Sequence, residues 1–313
     1  MNFEEFQNIY QHTLPEHFKN SVSSKPLVSI CVQTFQHANY ISTCLDSLLN
    51  QQVNFEYEIL LGEDNSNDST RDICITYAKK YPDKIRLFLH HNENKIRINN
   101  IPTGNFNALY NFFQARGKYI AFCEGDDYWT DKKKLQKQVD FLESNREYIL
   151  TFHQYEVNLS KNLTENQEQK LDQQLSDIES RDLQCLIYQP LLSTVCFRKQ
   201  FQELPYQLGE VINVDSFLLS VLGGFGKAKF INNINPSVYR KHKGGIWTSK
   251  ERVQKLEIKT YTYKKLIEYH KQQKQKSTAK CLEKELKNIY RMLFMHFMKK
   301  TRIISALKLT HKI

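Results

Sequence analysis

The chain carries several short apolar runs separated by polar loops. From Leu27 to Phe35 it is almost free of charge and rich in β-branched residues, which predicts a strand buried on both faces. Pro26 ends the lead-in before it. Residues 39–51 then place Ile41, Leu45, Leu48 and Leu49 on one helical face. A second strand, Tyr57 to Leu61, stops at the polar run Glu63-Asp64-Asn65-Ser66-Asn67-Asp68, where Asp68 can cap a helix carrying Ile73, Tyr77 and Ala78. Next are a strand at Ile85 to Leu89, a loop containing Gly and Asn, and a helix with Phe106, Leu109, Phe112 and Phe113 inward. The strand Tyr119 to Cys123 follows. This βαβαβαβ rhythm predicts an α/β fold, a Rossmann-like and mostly parallel central sheet flanked by helices.

Thr130 to Glu143 reads as a helix with Leu135, Val139 and Leu142 inward. Residues 158–180 are polar with weak periodicity, and are expected to form a surface excursion. Leu191 to Phe197 reads as a strand. Ser216 to Leu222 reads as an apolar helix opened by Asp215 and closed by Gly223-Gly224. From Lys250 onward helical periodicity dominates. The chain therefore divides into a lead-in (1–25), a globular domain (26–248, in halves 26–130 and 131–248) and a helical C-terminal extension (249–313).

Composition changes this picture in two places. Hydrophobic and charged contents of 40% and 25% are ordinary for a globular protein. The formal net charge of +10, however, is uneven: residues 250–313 hold 18 Lys and Arg against 5 Asp and Glu. The basicity belongs to the extension, and no nucleic-acid motif accompanies it, so nucleic acid is not an expected partner. The second point is sulfur. The seven cysteines are scattered and never spaced as CxxC. Free thiols in a reducing compartment are expected, with no disulfide framework and no zinc site. The acidic N-terminus does not read as a signal peptide, and no run is long enough to span a membrane, so a cytoplasmic location is expected.

Candidate chemistry concentrates where strands end. In Ala121-Phe122-Cys123-Glu124-Gly125-Asp126-Asp127-Tyr128-Trp129 a strand delivers three carboxylates within four positions. Like charges this close repel unless a cation is held, and oxygen ligands suit Mg²⁺ or Mn²⁺ bound together with substrate phosphates. A solvated acidic turn is the alternative. The run from Glu63 to Asp68 could hydrogen-bond a base and ribose, or serve as an Asx turn and cap. Asp215 stands alone among apolar neighbours, where burial would raise its pKa and suit it to act as a general base; a helix cap is the other reading. Tyr239-Arg240-Lys241-His242-Lys243-Gly244-Gly245 could approach a diphosphate or form a solvated turn.

Taken in order, these segments resemble the family 2 glycosyltransferases of the GT-A fold, especially bacterial enzymes of polysaccharide and lipopolysaccharide synthesis. The matching segments include Leu27 to Phe35, Tyr40 to Leu48, Glu63 to Asp68, Gly117 to Trp129, Lys134 to Leu142, Ser193 to Arg198 and Tyr239 to Gly245. The likeness covers about residues 26–248. It implies that Thr34, Phe35 and adjacent backbone line a nucleotide pocket in the first half, and that Asp64 contacts the base with Glu63 assisting. Glu124, Gly125 and Asp126 would hold the nucleotide sugar, with Asp126, Asp127 and His242 toward the metal, Mn²⁺ or Mg²⁺. Asp215 would deprotonate the acceptor hydroxyl. Two positions depart from the family pattern: Glu63 and Glu124 stand where Asp is usual.

The implied reaction is transfer of a sugar from a nucleotide-diphosphate donor, UDP-linked by expectation, to a glycan or lipid-linked acceptor, with inversion. A nucleotidyltransferase on a similar scaffold is the alternative, although Thr34-Phe35-Gln36-His37 offers no glycine-rich phosphate loop. Residues 291–313 mix apolar and basic side chains. That composition suits a helix lying on anionic lipid at the inner face of the membrane, or one packed on the domain or on a second copy in a homodimer.

Overall fold

The computed structural model describes residues 1–159, 175–201, 203–242, 244–245, 247–248, 250–299 and 312. In chain order the first half contains α1 (Phe3–Tyr10), β1 (Glu16–His17), β2 (Val28–Thr34), α2 (Ile41–Leu49), β3 (Tyr57–Glu63), α3 (Thr70–Lys80) and β4 (Ile85–Leu89). A small hairpin, β5 (Arg97–Ile98) and β6 (Ile101–Pro102), precedes α4 (Asn105–Gln114) and β7 (Tyr119–Phe122). The second half adds α5 (Lys134–Ser144), β8 (Tyr148–Phe152), β9 (Tyr155–Leu159), α6 (Ser180–Gln184), β10 (Cys196–Arg198), α7 (Val214–Leu222), β11 (Lys227–Phe230) and β12 (Ser237–Lys241). The extension consists of α8 (Arg252–Gln272) and α9 (Lys276–Lys299). Most of the polar stretch 158–180 and of the basic segment 291–313 lies outside the described residues.

Eight strands form the central sheet in the order β1-β4-β3-β2-β7-β10-β8-β11. Strands β4, β3, β2 and β7 run parallel, and β10 runs antiparallel to both neighbours. From β2 the chain builds outward through β3 and β4, then returns to place β7 on the other side of β2. The carboxyl ends of β2 and β7 therefore flank the point where the strand order reverses, where open α/β sheets bind ligands.

Alternation along the strands explains the two cores. On β2, Val28, Ile30 and Val32 face α2, α3 and α5 with Ile59 and Leu61 of β3; this layer includes Leu45, Leu48, Leu135 and Leu142. Cys31, Leu60, Ile120 and Phe122 face the opposite layer, where Phe106 and Leu109 of α4 join Phe217 and Leu219 of α7. Phe6 of α1 and Leu266 and Leu282 of α8 and α9 belong to this second cluster. The lead-in and the extension thus share the main core. Burial of such side chains is worth about 1.5–3 kcal/mol each.

The structure corrects the expectation that every cysteine is free. Cys185, just after α6, and Cys281 of α9 are joined by a disulfide with a Cα–Cα separation of 6.0 Å. The pairing spans 96 positions, a distance that only the packing of the extension closes. The stretch beginning at Leu191 is also more broken than one strand: a 3₁₀ turn at Leu192–Thr194 precedes β10. Among the described residues, no helix is long and apolar enough to cross a membrane.

Candidate active site

Two loops at the carboxyl ends of β2 and β3 are tied together. Gln36 takes a left-handed conformation (φ 56°), and its N–H donates to Ser66 Oγ at 2.9 Å. His37 N–H donates to Thr70 Oγ1 at 2.8 Å, and Ala38 N–H to Asp68 Oδ2 at 3.2 Å. The Asp64 N–H donates to the Thr34 carbonyl at 3.0 Å. Ser66 and Asp68 are thus committed to shaping the neighbouring turn. Glu63 is committed as well: its fully buried carboxylate accepts from Arg71 Nε at 2.5 Å and from the Ser66 N–H at 2.7 Å.

Asp64 is different. Its Oδ2 lies 3.6 Å from Lys95 Nζ, and that ammonium sits 3.7 Å over the ring of Phe35. Burial pushes the Asp64 carboxyl up to about 7, against the opposing charges of Lys95 and Arg71 and with the help of Glu63. Lys95 is a site residue the sequence reading missed. It follows a 3₁₀ turn at Asn92–Asn94, and nothing in its local pattern distinguishes it from a solvated lysine.

The acidic loop after β7 lies against the end of β2 and the loop that follows it. Gly125 N–H donates to the Gln33 carbonyl at 2.9 Å, which presses the loop onto β2. A Cβ on Gly125 would lie 2.6 Å from Thr34 Oγ1 and 2.9 Å from His37 Nδ1, so only glycine fits. Beyond it, Asp126 Oδ2 lies 3.0 Å from His242 Nε2 and 3.7 Å from His37 Nε2. One ligand atom from each of His37, Asp126 and His242 lies within 4.8 Å of the others.

These residues fit a divalent cation. Asp126 Oδ1 is buried and has no hydrogen-bond partner, so it leaves lone pairs aimed at nothing in the protein. His37 Nδ1 is 3.3 Å from Thr34 Oγ1, a contact that can fix the ring with Nε2 free. Burial holds His37 below the usual imidazole range despite the charge of Asp126, which favours the neutral form a metal ligand requires. For Asp126, burial works against ionisation, but the His242 hydrogen bond and the two imidazoles bring its carboxyl below the ordinary value.

The group of three shares Asp126 and His242 with the expected metal ligands. Asp127 Oδ1 accepts the Arg240 N–H at 3.0 Å, which ties β12 to the acidic loop. His37, on a loop some ninety residues earlier, is the third member of the group. Arg240 adds a guanidinium bond to the Asp126 carbonyl at 2.9 Å and packs its charge over Tyr128 at 4.4 Å.

Glu124 and Asp215 close the arrangement. Solvent reaches both side chains, yet surrounding protein withholds enough water to raise both carboxyls, Glu124 to about 8. After burial, the causes for Glu124 are the charges of Asp126 and Asp215, so Asp215 stands within electrostatic range of the acidic loop. The α7 first turn presents Asp215, and Gln189 Nε2 lies 3.4 Å from its Oδ2. Hydrogen bonds thus tie the loops after β2, β3, β7 and β12 together at the reversal point of the sheet, and Asp215 of α7 lies within electrostatic range of Glu124. Chemically, Phe35, Asp64 and Lys95 offer a ring, an acceptor and a donor to a nucleotide, His37, Asp126 and His242 offer ligands to a cation, and Asp215 offers a base.

The mixed α/β architecture, a large central sheet flanked by helices, is that of the GT-A glycosyltransferases. A model of glycosyl transferase family 2 matches residues 29–203, more than half of the chain, and the chain belongs to that family. An uncharacterised protein of Mycobacterium tuberculosis is 30% identical over 228 residues, covering 71% of this chain. An uncharacterised glycosyltransferase of Nostoc is 26% identical over 225 residues, 69% of this chain and 65% of its own length. The chain spans about three-fifths (61%) of the mycobacterial relative. Among solved structures, S. aureus TarS 1–349 in complex with UDP-GlcNAc shares the fold with a TM-score of 0.54 at 14% identity, covering 91% of this chain and 90% of that one. A mannosyltransferase from Pyrobaculum calidifontis, solved with GDP-Man and Mn²⁺, gives the same TM-score of 0.54 at 14% identity over 85% of this chain and 70% of its own.

Proposed function

We propose that this glycosyltransferase moves a sugar from a UDP-linked donor to a hydroxyl of a glycan or lipid-linked acceptor, with inversion, and that Asp215 is its general base. The observation that carries the reading is the grouping of Asp126 with His37 and His242 at the reversal point of the sheet, with Asp215 within electrostatic range of the same acidic loop. Phe35 offers a ring to stack on the base, and Asp64 with Lys95 offers an acceptor and a donor to its edge. His37, Asp126 and His242 would hold the cation, which supplies charge neutralisation for the departing diphosphate. Two imidazoles with one carboxylate suit Mn²⁺ better than Mg²⁺, which prefers oxygen.

In the proposed reaction Asp215 accepts the proton of the acceptor hydroxyl as its oxygen attacks the anomeric carbon. The bond to the nucleoside diphosphate breaks on the opposite face, and a single displacement inverts the centre. The raised carboxyl of Asp215 makes it a stronger proton acceptor than an exposed aspartate. Glu63 and Asp127 act by position: one anchors Arg71 beneath the base pocket, the other fixes β12 and so His242. The residues most open to lipid or to a second copy are Met292, Met295 and Met298 of α9, exposed alongside Arg291.

The test is Asp215→Asn. UDP release from a panel of UDP-sugars with Mn²⁺ and acceptor is expected to fall by at least a thousandfold, with UDP affinity unchanged. Turnover within tenfold of the native protein would remove Asp215 from the role.

A further inference from the structure

A cavity of about 320 Å³ lies next to Asp215, with Gln189 and Ser216 in its wall. Its walls come from the segment after α6, the start of α7 and the middle of α8; they include Tyr188, Gln189, Asn213, Lys259, Thr262 and Tyr263. Gln189 Nε2 donates to Ser216 Oγ at 2.8 Å and approaches Asp215, so the wall touches the base directly. Leu186 starts that wall in the left-handed region (φ 55°), a conformation a branched residue holds only when its surroundings fix it.

Three features of the lining point to a sugar. Two tyrosines line the cavity, and Tyr188, 45% exposed, offers a ring face for the C–H surface of a pyranose. Gln189 and Asn213 offer amides for hydroxyls. The volume admits one or two hexose rings, in the range of small-ligand sites. Among the described residues, Lys259 is the one charged lining residue and makes no ion pair, although acidic side chains engage Lys265, nearly two turns further along α8. Its positive charge reaches Asp215. The family-model match ends at residue 203, so Asn213, Lys259, Thr262 and Tyr263 all lie outside it. This is where specificity peculiar to the protein would be built.

We propose that this cavity is the acceptor subsite and that Lys259 selects an acceptor sugar carrying an anionic group, a carboxylate or a phosphate. The assignment rests on Asp215 being the base of the transferase reaction. An acceptor seated between Tyr188 and Tyr263 would turn one hydroxyl toward Asp215 and its anionic group toward Lys259. Because the extension supplies Lys259, Thr262 and Tyr263, helix α8 becomes part of the active site and not merely an appendage.

The test is a binding titration by saturation-transfer NMR on the full chain, with methyl glucuronide, glucose 6-phosphate and methyl glucoside as probes and UDP titrated in the same samples. Native protein is expected to bind at least one anionic probe about tenfold more tightly than the neutral one. Lys259→Gln should abolish that preference, and Lys259→Arg should keep it. The two anionic arms separate a carboxylate acceptor from a phosphate one. Equal binding of all three probes, or a preference untouched in Lys259→Gln, would overturn the proposal, as would no binding of any probe. UDP binding retained in that last case leaves the donor side of the transferase reading intact; its loss as well would sink both.

Discussion

Asp64 is the site residue whose replacement has the most informative consequence, because function and stability should move in opposite directions. Its carboxyl is raised from 3.8 to about 7 in the folded protein, first by burial. Between pH 4 and 7 the folded state therefore holds a proton that the unfolded state has released, and stability falls as pH rises through that window. A shift of about three units corresponds to an upper bound of about 4 kcal/mol, lost in full above pH 7. Asp64→Asn removes the titration and keeps a hydrogen-bonding group of the same shape. Urea denaturation at constant ionic strength should find the variant equal to the native protein near pH 4. Its advantage should grow with pH toward a plateau above pH 7, below the bound because Lys95 loses its partner. UDP affinity should fall at least tenfold at pH 8 over the same comparison. A stability difference that stays constant from pH 4 to 8, or a variant that is less stable at pH 8, would refute the reasoning.

Three further outcomes follow from contacts described above. Gly125→Ala forces a methyl against Thr34 and His37, and a displacement of this kind at a reacting centre can reduce turnover by about a hundredfold; circular dichroism should show the fold intact, and native turnover would contradict the tight approach. His37→Ala should weaken Mn²⁺ binding, measured by calorimetry, by at least tenfold, whereas Asp127→Asn should weaken it less; the reverse order would restore Asp127 as the third ligand. Far from the cleft, Arg86 Nη1 bonds the fully buried Glu58 at 2.9 Å. Arg86→Met leaves that carboxylate unpaired and should cost about 3–5 kcal/mol in chemical denaturation, a loss that Glu58→Gln in the same chain should partly restore.

The parts of the fold that the sequence made legible are those whose burial is two-sided. β2, β3, β4 and β7 are buried on both faces, and apolar runs reveal them within one or two residues. β12 and its partner β9 were not read, because the ribbon they form is half exposed and carries charged and polar side chains. The residues of β10 were read as strand, but nothing in three residues tells an antiparallel neighbour from a parallel one.

Asp64, Asp126, Asp215 and His242 lie at or just past the strand and helix ends where the pattern put them. Glu63 and Asp127 sit in the same runs, yet their oxygens are engaged by Arg71 and by the Arg240 N–H. No local feature separates a carboxylate facing the cleft from one facing a backbone amide. His37 and Lys95 escaped notice for a related reason. Each gains its role from a partner brought near by the sheet, Asp126 in one case and Asp64 in the other.

The two-stranded ribbon has one more implication. β12 pairs in parallel with β9, Lys241 standing opposite Leu159, and His242 follows at once. Side chains on a strand alternate sides, so an insertion of one residue between Asn235 and Lys241 would swing the imidazole to the far surface. The carboxylates after β7 would be unaltered in sequence, yet the proposed cation site would keep only two of its three residues. Homologues that vary the length of this ribbon should therefore change it in steps of two, or else recruit a different third ligand.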